Sequence, residues 1–169
     1  VVRHLSDDKF SLGEPSGEKS ERVRSLATAF IDAGLKAPVR PRIRDEIWVK
    51  LWGNLSFNPL SALTMSTLDV LADDSGTRAI ARTMMVEAQA VGEKHGIRFA
   101  IDVDQRIDAA GSIGAHRASM LQDLEQGRPL EIAALVESVM EVARLVEQPT
   151  PTIDFIHALL RQRIQARGL

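Results

Sequence analysis

The chain has 169 residues, enough for about one domain that buries roughly 70% of the surface its unfolded form exposes. Its composition is 44% hydrophobic and 26% charged, with a net charge of −2, which excludes disorder over most of the chain and argues against a phosphate-backbone binder. There is no cysteine, hence no disulfide framework, thiolate zinc site or thiol nucleophile.

The chain opens on Val1-Val2-Arg3-His4-Leu5, with no initiating methionine, and reads as the interior of a longer protein. Charged residues among the first ten argue against a signal peptide, and no apolar run approaches the roughly 20 residues of a membrane span. Val1 to Leu5 and Lys9 to Leu12 are strand-like and separated by the turn-prone Ser6-Asp7-Asp8, a pattern that predicts a hairpin. Gly13-Glu14-Pro15-Ser16-Gly17 breaks the chain before a helical run with Val23, Leu26, Ala27, Phe30 and Ile31 on one face, ended by Gly34. Pro38 to Ile43 reads as one more short strand. Residues 1–44 are thus expected to be a β-β-α-β fragment, and residues 45–169 an all-helical domain.

Asp45 is positioned to cap a long helix through Ile47, Trp48, Leu51 and Leu55. Asp74 or Ser75 starts a helix that stops at His95-Gly96, and Asp102-x-x-Gln105 is a capping-box pattern for a helix ending near Gly111. Further helices are predicted over Ala115 to Gln126, closed by Gly127, and over the amphipathic Glu131 to Glu147. Thr150-Pro151 opens the last one.

The most informative segment runs from Trp48 to Ala62. At 100° per residue, Lys50, Asn54, Asn58 and Ser61 share an arc of about 80° on a helix that is apolar nearly everywhere else. Such a helix is normally buried, so its polar stripe needs partners, water or a ligand. Asn is a poor interior helix former, and its use twice at four-residue spacing calls for a reason. A solvated face remains the plain alternative. Pro59 adds a predicted kink. The second segment, Ser119 to Ile132, closes one helix at Gly127 and opens the next at Glu131, whose carboxylate the helix dipole favours. The four histidines form no zinc-ligand motif and are read as surface or half-buried, although His116 lies three residues before Ser119 and can share its cleft.

Together these segments resemble the C-terminal domain of the ketopantoate reductase (2-dehydropantoate 2-reductase) family. The residues that carry the likeness are Trp48, Lys50, Asn54, Asn58-Pro59, Leu60 and Ala62, then Ser119-Met120, Asp123, Gly127-Arg128 and Glu131-Ile132, with Thr150-Pro151-Thr152 opening the last helix. The leader ending in Leu12-Gly13-Glu14 resembles the last hairpin of the family's dinucleotide-binding domain. The resemblance implies a mainly α, multi-helix domain of the 6-phosphogluconate-dehydrogenase-like type behind a short Rossmann remnant. It implies NADPH-dependent reduction of a small 2-keto acid, ketopantoate to pantoate, in a cytoplasmic enzyme of pantothenate biosynthesis. Lys50 would be the general acid, Glu131 would orient it and the substrate hydroxyl, Asn54 and Asn58 would hold the substrate, and Ser119 would bind its carboxylate end.

Two departures from the family pattern stand out. Leu63 to Asp69 contains no asparagine where the family often carries a further substrate-binding one, and no Gly-x-Gly-x-x-Gly occurs in the chain. The resemblance therefore implies an N-terminal Rossmann domain outside these residues and a chain that is inactive alone, with a homodimer as a further expected partner. Neither nucleic acid nor a membrane is expected as a partner. The competing reading is a non-catalytic helical interaction or dimerisation module, against which the presence of both Lys50 and Glu131 argues.

Overall fold

In the computed structural model, which describes residues 8–168, the backbone divides into two compact units, Val1–Ile47 and Trp48–Leu169. The first expected strand of the leader, Val1 to Leu5, lies outside the described residues.

In the first unit, helix α1 (Glu21–Asp32) connects two extended stretches that run parallel, bridged at Lys9–Lys36 and Leu12–Val39. Phe10 N–H donates to the Lys36 carbonyl at 2.7 Å, Leu12 N–H to Pro38 at 3.0 Å, and Arg40 N–H to Leu12 at 2.7 Å. These are single bridges rather than a strand ladder, so among the described residues the expected β elements are reduced to their hydrogen-bonding contacts. The extended stretch ends before Ile43, which is already helical. Ser20 caps α1 through Val23 N–H, and Gly34, at φ +84°, follows its end in the left-handed conformation glycine favours. Ser20 and Arg22 both donate to the carboxylate of Glu14, which is itself buried.

Helix α2 (Ile43–Thr64) begins two residues before the expected cap, so Asp45 lies in its first turn and pairs with Arg42 instead of capping. It continues through Pro59 and is buried from Trp52 to Ala62, apart from a half-exposed Asn54. The short α3 (Leu68–Asp73), which the sequence pattern did not announce, leads into α4 (Ser75–Lys94), and Asp74 caps α4 through Thr77 N–H at 2.8 Å. Helix α5 (Val103–Gly111) opens on the predicted capping box of Asp102 and Gln105.

Helix α6 (Ser119–Glu125) starts four residues later than its pattern suggested, because the chain turns at Gly114, φ +83°. The next helical stretch opens as a π-helical turn, Ala133–Glu137, before α7 (Ser138–Leu145), so it is shorter and less regular than expected. Helix α8 (Pro151–Gln165) is the last of the described helices. Thr150 makes no side-chain cap for α8. The Glu87 carboxylate of α4 reaches across and accepts from Thr152 N–H and Ile153 N–H at 2.9 and 3.0 Å.

The main core of the second unit gathers Trp52, Leu55, Phe57 and Leu60 of α2 with Leu71, Met84, Met85, Ile107, Val139 and Ile153 from the surrounding helices. A satellite cluster of Ala62, Met120, Leu124 and Leu160 fixes α6 and α8 at the C-terminal end of α2. Among the described residues, no helix is long and apolar enough to cross a membrane.

The carboxyls of Glu14, Asp69 and Asp74 are all held below their usual range. The causes are the Arg22 guanidinium for Glu14, the Thr67 hydroxyl for Asp69, and the Thr77 N–H for Asp74. A depressed folded-state pKa means the unfolded chain binds protons more readily. The stabilisation is therefore complete above the ordinary carboxylate values and is lost as pH falls through the folded ones. Thermal unfolding should shift to lower temperature as pH drops below about 4, and Asp74→Asn should flatten that dependence. A pH-independent unfolding temperature across this interval would contradict these contacts.

Candidate functional site

Within the second unit, the stripe seen on the α2 wheel divides into separate environments. Ser61 is fully buried and spends its hydroxyl on the Ser66 carbonyl at 2.6 Å, so it serves the local turn. Asn54 and Asn58 face a cleft of about 220 Å³, together with Gly53 and Phe57 of the same helix. Opposite them stand Arg106 and Ala110 of α5, and Leu68 at the start of α3. The stretch from Ile113 to Ser119 supplies Ile113, His116, Ala118 and Ser119. A bond from Leu68 N–H to the His116 carbonyl, at 3.0 Å, ties that stretch to α3.

Asn58 is buried, at 6% exposure, and its Nδ2 donates to Ser119 Oγ across a long 3.5 Å. Residues 61 apart in sequence are thereby joined at one wall of the cleft. The Asn54 side chain has no hydrogen-bond partner among the described residues and is half-exposed, so its amide is available to a ligand.

Lys50 lies one turn before Asn54 on α2, where the helix emerges from the core, and its side chain is exposed. Glu131 is also exposed and immediately precedes the helical stretch leading to α7, its carbonyl accepting from Leu135 N–H at 3.1 Å. Neither residue lines the cleft. Neither side chain has an ion-pair or hydrogen-bond partner among the described residues, so both charges are uncommitted. Of the five residues singled out from the sequence, the cleft brings together Asn54, Asn58 and Ser119 and leaves Lys50 and Glu131 beyond its lining. His116, noted as a neighbour of Ser119, does line it.

Arg106 is the residue the sequence reading missed. Among the described residues no aspartate or glutamate lines the cleft, so its guanidinium gives the site a positive charge without a carboxylate in the lining. Burial lowers the pKa of that guanidinium, although an arginine stays protonated at neutral pH regardless. The rest of the lining is largely apolar, with Phe57, Leu68, Ala110, Ile113 and Ala118. A small cavity with an apolar wall, two amides, a hydroxyl and one cation suits a short organic acid.

The sequence model of the family described as "Ketopantoate reductase PanE/ApbA C terminal" matches residues 42–165. A 2-dehydropantoate 2-reductase of Mesorhizobium japonicum is 63% identical over 168 residues, covering 99% of this chain and 52% of the relative. A protein of Ralstonia solanacearum MolK2, described as a candidate ketopantoate reductase, has a crystal structure that superposes with a TM-score of 0.92 at 41% identity, over 99% of this chain and 51% of that one. A D-mandelate dehydrogenase solved with NADH and anilino(oxo)acetate shares the fold at a TM-score of 0.87 and 23% identity, over 99% of this chain and 71% of that one. The chain spans about half the length of the curated relatives it matches. Its helices α2 to α8 carry the family's C-terminal pattern through to the last turn, and the chain belongs to the ketopantoate reductase family.

Proposed function

We propose that the chain is the substrate-holding half of an NADPH-dependent reductase that converts ketopantoate to pantoate, a step of pantothenate and coenzyme A biosynthesis in the cytoplasm. The observation that carries this reading is the convergence of Asn54, Asn58 and Ser119 on one small cleft with no carboxylate in its lining among the described residues. In this reading residues 45–169 form the substrate domain, and residues 1–44 are the end of a dinucleotide-binding domain.

The cleft fits a short 2-keto acid and does not fit a dinucleotide. Its roughly 220 Å³ is below the range of about 300–1,000 Å³ typical of drug-sized ligands. None of the chain's glycines forms the Gly-x-Gly-x-x-Gly turn that cradles a pyrophosphate at a helix N-terminus. The nicotinamide site is accordingly proposed on residues outside this chain.

Reducing a ketone requires a proton at its oxygen as negative charge develops there. Lys50 Nζ is the proposed donor, and Glu131 the carboxylate that orients it and the product hydroxyl. Asn54 and Asn58 offer amide hydrogens to the substrate's oxygens, and Ser119 its hydroxyl to the carboxylate end. Association of two copies through the last helices belongs to the same proposal and is supported by the exposed Leu145, Phe155 and Leu159.

The test is steady-state kinetics on the full-length protein with ketopantoate and NADPH. Asn58→Ala should raise KM by about three- to tenfold and lower kcat by less, because it removes a binding hydrogen bond rather than the proton donor. Full-length protein that turns over no 2-keto acid with either nicotinamide cofactor would remove the proposed reaction. An unchanged KM in Asn58→Ala would remove that residue from the site.

A further inference from the structure

The side chain of Arg106 makes no hydrogen bond or ion pair among the described residues, although two carboxylates share its helix and a third caps it. Each of those acids is committed elsewhere. Asp102 caps α5 through Gln105 N–H at 2.8 Å, Asp104 pairs with Arg82 at 3.2 Å, and Asp108 pairs with Arg78 at 2.7 Å. Asp104 and Asp108 each stand two residues from Arg106, about 200° away around the helix, so these two acids serve one face and Arg106 the opposite one, while Asp102, on Arg106's side, is held at the N-terminus by its cap. That opposite face is the wall of the cleft that also holds Asn54, Asn58 and Ser119.

Across the cleft, α2 carries a glycine where Arg106 approaches. A Cβ built on Gly53 would fall on the guanidinium, 2.6 Å from its central carbon and 3.0 Å from Nε. Glycine inside a helix costs about 1 kcal/mol relative to alanine. Here that cost is matched to the space one arginine head occupies. A half-buried guanidinium with a place cleared for it and no anion of its own is an incomplete ion pair. Its fork of donors fits a carboxylate in two parallel hydrogen bonds.

We propose that Arg106 is the carboxylate anchor of the cleft, gripping the acid end of a 2-oxo acid, and that Gly53 is the positioning residue that holds the guanidinium in place. The inference rests on the reading of this cleft as the substrate site. It deepens that reading by giving the carboxylate a cationic partner beside the neutral Ser119 hydroxyl. It also gives the selectivity a source: Arg106 makes the site prefer the charged acid over its neutral amides and esters. Asn54 and Asn58 are then left to the substrate's other oxygens.

The test compares 3-methyl-2-oxobutanoate with 3-methyl-2-oxobutanamide on the full-length protein, by steady-state kinetics and by direct calorimetric binding. Arg106→Met should weaken binding of the acid between about 30-fold and 1,000-fold, raising KM correspondingly, while the amide changes little. The wild-type preference for acid over amide should therefore collapse. Arg106→Lys keeps the charge but not the fork and should recover only part of that preference. Gly53→Ala gains helix propensity and displaces only the end of a flexible side chain, so it should fold normally and weaken acid binding about tenfold. It keeps the inference testable if Arg106→Met folds poorly.

An acid-to-amide preference unchanged in Arg106→Met and in Gly53→Ala would overturn the anchor, even in an active reductase. Wild-type protein that binds the acid in an Arg106-dependent way but reduces no 2-oxo acid would uphold the anchor and remove the reductase reading. Wild-type protein that binds neither compound would overturn both.

Discussion

Lys50→Ala in the full-length protein should lower kcat for ketopantoate by about 10²- to 10⁴-fold, the usual contribution of a positioned general acid. Substrate affinity should change much less, because Asn54, Asn58 and Ser119 line the cleft and Lys50 does not. A donor that acts only on the developing alkoxide lowers kcat and kcat/KM together, which separates it from a residue that binds ground and transition states equally. The substitution is a clean one. The Lys50 side chain is exposed and has no partner among the described residues, so its removal opens no cavity and orphans no buried group. Thermal unfolding of the variant should match that of the parent. A kcat within a few-fold of the parent would end the assignment of Lys50 as the proton donor and would direct attention to His116 and to residues outside this chain.

Trp52→Ala should be the most destabilising single change in the helical unit. The indole is fully buried, packs against Phe99 with ring centroids 4.7 Å apart and planes tilted by 51°, and donates its N–H to the Met85 carbonyl. Truncation of a buried tryptophan costs about 3–5 kcal/mol through lost transfer energy and the cavity left behind. It also strips the Met85 carbonyl of its indole donor. Against a typical stability of about 5–15 kcal/mol, that loss takes a large share of the whole. Urea unfolding of the parent and variant should show the midpoint falling with little change in slope. Trp52→Phe, which keeps a ring but not the donor, should fall between them. A variant within about 1 kcal/mol of the parent would mean that α2 is not the central element of this core.

The effect matters for function because Trp52 immediately precedes Gly53 and Asn54. The same helix that anchors the core through Trp52, Leu55 and Leu60 presents the cleft on its other side. Loss of packing there should loosen the spacing of the two amides before it unfolds the chain.

Local interactions were legible from sequence because both partners lie within one turn of chain. Asp74 capping Thr77, the reciprocal pair of Asp102 and Gln105, and the left-handed Gly127 are all set by residues three or four apart, and each formed as expected. The family and its helical architecture were also legible, since Lys50, Asn54 and Asn58 recur at the helical period and Ser119 and Glu131 keep a fixed order. Where the sequence reading departed from the structure, a distant contact or a local backbone turn decided the outcome. Thr150 was the evident cap for the last helix, yet Glu87, 65 residues before Thr152, accepts from the N–H groups of Thr152 and Ile153. The predicted start of α6 slipped to Ser119 because Gly114 turns the chain and the His116 carbonyl bonds to Leu68.

Arg106 is the sharpest instance. In sequence it is one charge among the acids of a short polar helix, where a solvated arginine is the ordinary expectation. Only the packing of α5 within the helical unit brings that side chain to a cleft it shares with α2, and only the missing Cβ of Gly53 leaves it room. Glycine in the middle of an apolar helix was the one trace of this in the sequence, but a glycine records that something approaches closely without saying what. The sequence by itself determined most of the longer helices, the caps at Asp74 and Asp102 and the family, because these depend on spacing along one chain segment. The tertiary structure alone decided that Arg106 joins Asn54, Asn58 and Ser119 in one cleft and that Lys50 and Glu131 lie beyond its lining, because that depends on which faces of distant segments meet.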